Sequence, residues 1–307
     1  MIPDGRTPVI VVTGFLGSGK TTLVNQLVKR QSDSLVIVNE FGEIPVDHAL
    51  IENSVEKAVA LPNGCLCCHL RGDLEETLIG AAMRRRRGEI AGFDRVIIET
   101  SGLADPGPVA QTLYADQALA RDFKLGPIVT VVDASDSGSR KVSGAIARAQ
   151  IAAADVVVLS KVDRGDAARA EAEVRDLNAG VNCISASFGD VDPAVLLEVK
   201  PGDHSFAHTP THNSAIRSFA LRFDQPVRRE LLQQFISTLI DLRGPDLLRV
   251  KGFVPLESGM VAVQGVRHVF DRMRPVENGE PALVFITNGV EKSEVEALWQ
   301  AIRRLGS

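Results

Sequence analysis

The chain has 307 residues, 45% of them hydrophobic and 24% charged, the balance of a globular protein with room for two cores rather than of a disordered or fibrous one. Its 34 Lys and Arg stand against 39 Asp and Glu, for a net charge of −5, so the overall balance gives no pull toward nucleic acid or an anionic membrane. Pro3 and Asp4 occupy the place of a basic signal-peptide region, and no run approaches the roughly 20 apolar residues of a membrane span; a reducing, cytoplasmic setting is expected.

The first expected strand, Val9–Thr13, leads into Gly14-Phe15-Leu16-Gly17-Ser18-Gly19-Lys20-Thr21-Thr22, and a helix is expected over Lys20–Arg30. Strand, G-x-x-x-x-G-K-T and helix in that order form a phosphate loop. Its glycines let backbone N–H groups turn inward onto phosphate oxygens, and the helix N-terminus adds the positive end of its dipole. Lys20 is expected to reach the β- and γ-phosphates and the Thr21 hydroxyl to bind Mg²⁺. A second strand, Leu35–Asn39, follows. Pro62-Asn63-Gly64 then signals a turn, and three of the chain's four cysteines come directly after it: Cys65, Cys67 and Cys68. Such clustering suits a metal site or redox chemistry, not a disulfide framework. Thiolates favour Zn²⁺, with Co²⁺ and Ni²⁺ as competitors. Three sulfurs this close do not easily face one ion, so Glu40, His69 or His48 is a candidate to complete the shell. A low-pKa thiol pair is the alternative.

A helix over Asp73–Arg87 ends in four arginines, read as a solvated helix end. The strand Arg95–Glu99 places Glu99 at its tip, with Thr100-Ser101-Gly102 after it. Glu99 is expected to hold Mg²⁺ through water, and Gly102 to let the backbone come close to the γ-phosphate. Helices over Asp105–Asp116, Lys141–Ala153 and Asp166–Ala179 alternate with strands Ile128–Asp133, Asp155–Ser160 and Asn182–Ser185. Near-continuously apolar strands separated by helices imply an α/β fold with a mostly parallel sheet. Cys183, in the last of these strands, reads as a core thiol. Ser160-Lys161-Val162-Asp163 closes one strand and resembles the guanine-reading N-K-x-D motif with Ser in the first position. Its Asp would accept from guanine N1 and N2, and the Lys stem would cover the base. Ser185-Ala186-Ser187 closes the next strand and is a candidate for backbone contacts to the guanine oxygen.

The texture then changes. Residues 201–214 are rich in Pro, Gly, Thr and Asn and carry His204, His208 and His212; they read as a linker between a nucleotide-binding domain over 1–200 and a second domain over 215–307. In the latter, strands are expected at Ile216–Phe223, Leu247–Val254, Met260–Gln264 and Ala282–Thr287, with helices at Arg229–Ile240 and Glu291–Arg303. Together they suggest a small α+β domain with an antiparallel sheet.

These motifs in combination resemble the CobW family of P-loop GTPases, related to UreG and HypB. Gly14–Thr22 is similar to the family's G-F-L-G-S-G-K-T-T. Asn39-Glu40-Phe41-Gly42-Glu43 with Asp47, Cys65–Cys68 as C-x-C-C, and Glu99–Pro106 as E-T-S-G-L-A-D-P resemble the family's other segments, and the region from Ile216 onward resembles its C-terminal domain. The resemblance implies a metallochaperone in which the GTP state controls how a divalent ion, zinc or cobalt, is held at C-x-C-C and passed to a client. Two departures stand out: Ser160 in place of Asn, and three spaced histidines in place of a dense histidine tract. A hydrolase or kinase acting on a small molecule and a thiol-redox regulatory GTPase stay open as other function classes, and a homodimer stays open as an assembly.

Overall fold

In a computed structural model, the structure describes residues 5–31, 33–38, 58–60, 69–115, 117–136, 144–197 and 216–305. They form two compact units.

The first unit is built on a seven-stranded sheet. Its strands are β1 (Thr7–Thr13), β2 (Ser34–Val38), β3 (Ala58–Ala60), β4 (Arg95–Glu99), β5 (Phe123–Asp133), β6 (Val156–Ser160) and β7 (Asn182–Ser185). They lie in the order β3-β2-β4-β1-β5-β6-β7, and every pairing is parallel. A parallel sheet needs crossovers that cover its faces; these are formed by α1 (Lys20–Arg30), α2 (His69–Arg86), α3 (Gly107–Ala115), α4 (Gln117–Asp122), α5 (Ala145–Ala153) and α6 (Ala167–Leu177), and α7 (Pro193–Leu197) follows the last strand. Strands buried on both faces need apolar side chains at every position, which is why β2, β6 and all but one residue of β1 are fully buried. Leu23, Val24 and Leu27 of α1 close one side of the core against Ile10, Val12, Val36, Val129, Val131 and Val158.

Because all strands run the same way, their C-terminal residues gather along one edge. Register places Glu99 beside both Val12 and Val38, Thr13 beside Thr130, and Asp133 beside Ser160. The chain leaves β1 at the centre of the sheet and goes next to β2, on the far side of β4. A crevice at such a reversal is where open α/β sheets bind ligands.

Several expected bounds shift for local reasons. The helix expected from Asp105 starts at Gly107, because the Asp105 carboxylate accepts the Gly107 N–H at 2.8 Å. Asp166 likewise caps α6 from outside, accepting the Arg169 N–H at 3.0 Å. The Arg84–Arg87 run is more than a solvated end: the Arg85 guanidinium lies 4.5 Å over the Phe93 ring and donates to the Phe93 carbonyl, and Arg86 pairs with Asp122. Cys183 is half-buried, not a core thiol, because β7 is the last strand of the sheet and half its residues face outward.

The second unit carries an antiparallel sheet of six strands, with β8 (Ile216–Arg222), β9 (Leu247–Leu256), β10 (Gly259–Val266), β11 (Val269–Phe270) and β13 (Ala282–Asn288) in the order β11-β10-β9-β13-β8, and β12 (Arg274–Pro275) paired to β10. Helices α8 (Arg229–Arg243) and α9 (Lys292–Leu305) bury Leu232, Phe235, Leu239, Val295 and Trp299 in one core with Leu221, Val250, Val263 and Phe285. Trp299 meets Phe235 and Phe223 edge-on at 5.3 and 5.4 Å, the arrangement aromatic quadrupoles favour. The antiparallel α+β expectation is met. The expected linker, 201–214, lies outside the described residues.

Candidate functional site

The phosphate loop leaves the end of β1 in a curl that side chains with a Cβ resist. Gly14, Gly17 and Gly19 have φ of 141°, 74° and 97°, and a Cβ on Gly14 would stand 2.2 Å from the Val131 carbonyl oxygen. Gly19 forms the N-cap of α1 and offers no side-chain acceptor to the helix, so the first N–H groups of α1 are left for an anion. Lys20 is buried and its Nζ donates to the Phe15 carbonyl at 3.1 Å, which holds the ammonium across the loop. Ser18 is buried, and its backbone N–H donates to the same carbonyl at 3.2 Å.

The Thr21 hydroxyl donates to Glu99 Oε1 at 2.7 Å. The chain therefore brings together the two oxygen groups expected to hold Mg²⁺, a hydroxyl from the helix start and a carboxylate from the tip of β4. Hard oxygen donors of this kind fit Mg²⁺. The backbone continues from Glu99 with Thr100, whose N–H donates to the Val12 carbonyl and whose hydroxyl donates to Thr13 Oγ1 at 2.9 Å. Gly102 then passes close to the phosphate loop: a Cβ there would lie 2.6 Å from the Leu16 nitrogen. From the other side Gln150, buried in α5, donates through Nε2 to the carbonyls of Gly102 at 3.4 Å and Ala104 at 2.9 Å.

A second cleft opens past the tip of β6, lined by Gly19, Thr22, Leu23, Ser160, Lys161, Asp163, Phe188 and Gly189 among others. Ser160 is buried and its hydroxyl donates to the Ser18 carbonyl at 2.6 Å, so the residue in the Asn position of the motif ties the strand tip to the phosphate loop. Lys161 has a left-handed backbone, φ 53°. Its Nζ donates to the Gly17 carbonyl at 2.7 Å and to Asp133 Oδ2 at 2.6 Å. Burial pushes the Asp133 carboxyl up, but hydrogen bonds from Lys161 and Ser135 outweigh it and hold the group below its ordinary value. Asp163 is exposed at the rim, paired with Arg164 at 3.3 Å. On the far side, Arg30 at the end of α1 pairs with Asp190 and donates to the Val191 carbonyl at 3.0 Å, which pins the loop after Ser187 to that helix.

Gly14, Gly17, Ser18, Gly19, Lys20, Thr21, Glu99 and Gly102 thus surround one loop, while Thr22, Ser160, Lys161 and Asp163 line the cleft beside it. Cys65, Cys67, Cys68, Glu40 and His48, together with the side chain of His69 and the histidines His204, His208 and His212, lie outside the described residues. Sequence reasoning did not single out Asp133, Gln150, Arg30 or Phe188. Asp133 carried a signal, a carboxylate at the tip of an apolar strand; the others are defined only by contacts far apart in the chain. Among the described residues no helix is long and apolar enough to cross a membrane, and no group of three His, Cys, Asp or Glu is placed to hold a metal ion.

Comparison with known proteins places this geometry among relatives. Residues 8–185 match the family model described as CobW/HypB/UreG, nucleotide-binding domain, and residues 216–303 match the cobalamin synthesis protein cobW C-terminal domain. The chain is 31% identical over 317 residues to the zinc chaperone YjiA of Escherichia coli (strain K12), covering 96% of this chain and 98% of that one. It is 30% identical over 316 residues to the zinc chaperone CobW of Pseudomonas aeruginosa, covering 87% and 82%. The crystal structure of Zn(II)-bound YjiA GTPase from E. coli superposes with a TM-score of 0.70 at 26% identity, over 97% of this chain and 99% of that one.

Proposed function

The chain belongs to the CobW family of P-loop GTPases, and on that premise we propose that it is a GTP-hydrolysing metallochaperone that binds a divalent ion and passes it to a client protein. Zinc is the first candidate cargo, as in the names of the relatives, and cobalt the second. The observation that carries the hydrolase half is the meeting of Thr21 and Glu99 at 2.7 Å beside Lys20. Mg²⁺ held by Thr21 and, through water, by Glu99 would neutralise charge on the phosphates. Lys20 would trade the Phe15 carbonyl for phosphate oxygens, a stronger charge-assisted pairing. Gly102, packed against Leu16, would bring its backbone to the γ-phosphate. Asp163 would read the guanine edge while Ser160 and Lys161 hold that strand tip against the phosphate loop.

The cargo half rests on Cys65, Cys67 and Cys68, with Glu40 as a further ligand, and on the chemistry of soft thiolates. Thiols kept as ligands call for a reducing compartment, so the cytoplasm is the proposed location. The domain division proposed is a GTPase domain over 1–200, a linker over 201–214 and the C-terminal domain over 215–307. Hydrolysis is expected to be slow until a metal-receiving client, or a second copy of the chain, completes the site.

The test is zinc affinity in the GDP state against that with a non-hydrolysable GTP analogue, by competition with a chromophoric chelator. Coupling of about 1–3 kcal/mol is the usual size for linked sites, and it is reciprocal. Replacing both Cys67 and Cys68 by Ala should abolish it and leave metal-free GTP binding intact. Equal zinc affinity in both states would leave the chaperone reading without a mechanism. Phosphoryl transfer to an acceptor other than water would favour a small-molecule kinase instead.

A further inference from the structure

Three residues other than glycine among those described have a left-handed backbone: Lys161, Phe188 and Arg267. Two of them, Lys161 and Phe188, line the same cleft, the one assigned above to the base. An L residue in this region is strained, and strain held in place by its surroundings gathers at functional positions. Lys161 is accounted for by its bonds to Gly17 and Asp133. Phe188 needs its own reason.

Its local structure makes the choice of residue stranger. Asp190 N–H donates to the Ser187 carbonyl at 3.0 Å, and Phe188 and Gly189 between them have φ of 53° and 72°. Positive φ at both central positions is the pattern of a type I′ turn, in which Asn-Gly is the favoured pair. Asn at 188 would serve the turn with less strain than an aromatic residue. The ring does not serve the core either, since Phe188 is 68% exposed. The turn itself is firmly held. The Gly189 backbone lies against Thr22 and Leu23 of α1, and Arg30 grips Asp190 and the Val191 carbonyl. A rigid, strained turn thus presents an open aromatic ring at the cleft, and among the described residues Phe188 is the one aromatic in its lining.

We propose that Phe188 is the stacking residue for the nucleobase. Its ring covers one face of the purine, the Lys161 stem covers the other, and Asp163 takes the edge. This rests on the guanine-site reading above and deepens it by separating two tasks. Stacking on an aromatic ring tolerates any base, because every base has a π-face. Affinity for the base would then come from Phe188, and discrimination among purines from Asp163.

The experiment compares Phe188→Asn, Phe188→Trp and Asp163→Asn with the unaltered chain for binding of GDP, IDP, XDP and tripolyphosphate. Phe188→Asn should keep or raise the thermal midpoint, since it relieves the turn. It should weaken GDP and IDP alike, by about ten-fold, a size in line with measured base–aromatic stacking, and leave tripolyphosphate unchanged. Phe188→Trp should restore affinity and show emission quenched by GDP but not by tripolyphosphate. GDP binding by Phe188→Asn within about two-fold of the unaltered chain overturns the proposal. The parent reading fails separately, and differently: the unaltered chain would bind ADP as well as GDP, and Asp163→Asn would not shift preference toward XDP.

Discussion

Gly102→Ala is the sharpest test of how the loop after β4 works. A Cβ at this position would lie 2.6 Å from the Leu16 nitrogen, 2.7 Å from Leu16 Cδ2 and 2.8 Å from Leu16 Cα, where ordinary contact begins near 3.4 Å. The shortfall is about 0.8 Å, and two of the three atoms are backbone of the phosphate loop, which a rotamer change cannot move. Overpacking of this kind costs roughly 1–3 kcal/mol. The loop cannot drift away freely, because the buried Gln150 amide holds the carbonyls of Gly102 and Ala104. Pulling the Gly102 carbonyl off Gln150 leaves a buried acceptor short of a partner, at about 1–3 kcal/mol. A combined loss of roughly 2–6 kcal/mol should lower the thermal midpoint by on the order of 5–20 °C in a domain of this size. Turnover should fall further than stability, since the proposed approach of residue 102 to the γ-phosphate would be lost, while GDP binding is largely kept. Thermal unfolding and phosphate release measured on one preparation check both halves. Gln150→Ala supplies the cycle: if the two positions act through one loop, their effects on stability should not add. A Gly102→Ala variant that hydrolyses GTP normally, with a midpoint within about 1 °C of the unaltered chain, would refute the packing argument.

Three further outcomes follow from the same geometry. Lys20→Ala should leave a folded chain whose hydrolysis drops by a factor on the order of a hundred or more; near-normal turnover would remove this loop from catalysis. Asp133→Asn should lower stability at neutral pH. Because the folded-state pKa of Asp133 is held below its ordinary 3.8, its stabilisation is present above that value and is lost as pH falls through the folded-state pKa. Melting curves of the variant and the unaltered chain should therefore converge in strong acid, and a gap that persists there would rule out the Lys161–Asp133 pair as the cause. Ser160→Ala should weaken GDP binding and lower stability by about 1–3 kcal/mol in total, because it strips the Ser18 carbonyl of a buried donor. Calorimetry showing neither change would mean that this bond does not join the two halves of the site.

Much of this was legible in the sequence because the relevant signals are local. The burial that a parallel sheet imposes makes Arg95–Glu99 a readable strand, and a strand followed by G-x-x-x-x-G-K-T fixes the loop and the start of α1. What escaped reading has a physical pattern too. The first half of β5 hides behind Lys124, Gly126 and Pro127, which interrupt its apolar run. α4 and α7, with six and five residues, are too short to show a period, and β3 has only three residues. Phe188 and Gln150 are invisible for another reason. One looks like any aromatic residue in a turn and the other like any polar residue in a helix, until tertiary contacts set Phe188 beside Lys161 and Gln150 under Gly102.

The grip of Arg30 on Asp190 and Val191 carries a kinetic consequence. α1 has 11 residues, about 16 Å of helix at 1.5 Å per residue. One end bears Lys20 and Thr21, the residues proposed to meet the phosphates, and the other end bears Arg30, which pairs with Asp190 in the turn that carries Phe188. On the proposed reading, phosphate grip and base grip are mounted on the same strut. A nucleotide held at both ends in the proposed way would then leave in a single concerted event, not by peeling from either side, as long as the turn and the helix keep their relation. The place to speed that event is Arg30, remote from the phosphates. A factor that drew its guanidinium away from Asp190 would act on exchange without touching the chemistry of hydrolysis.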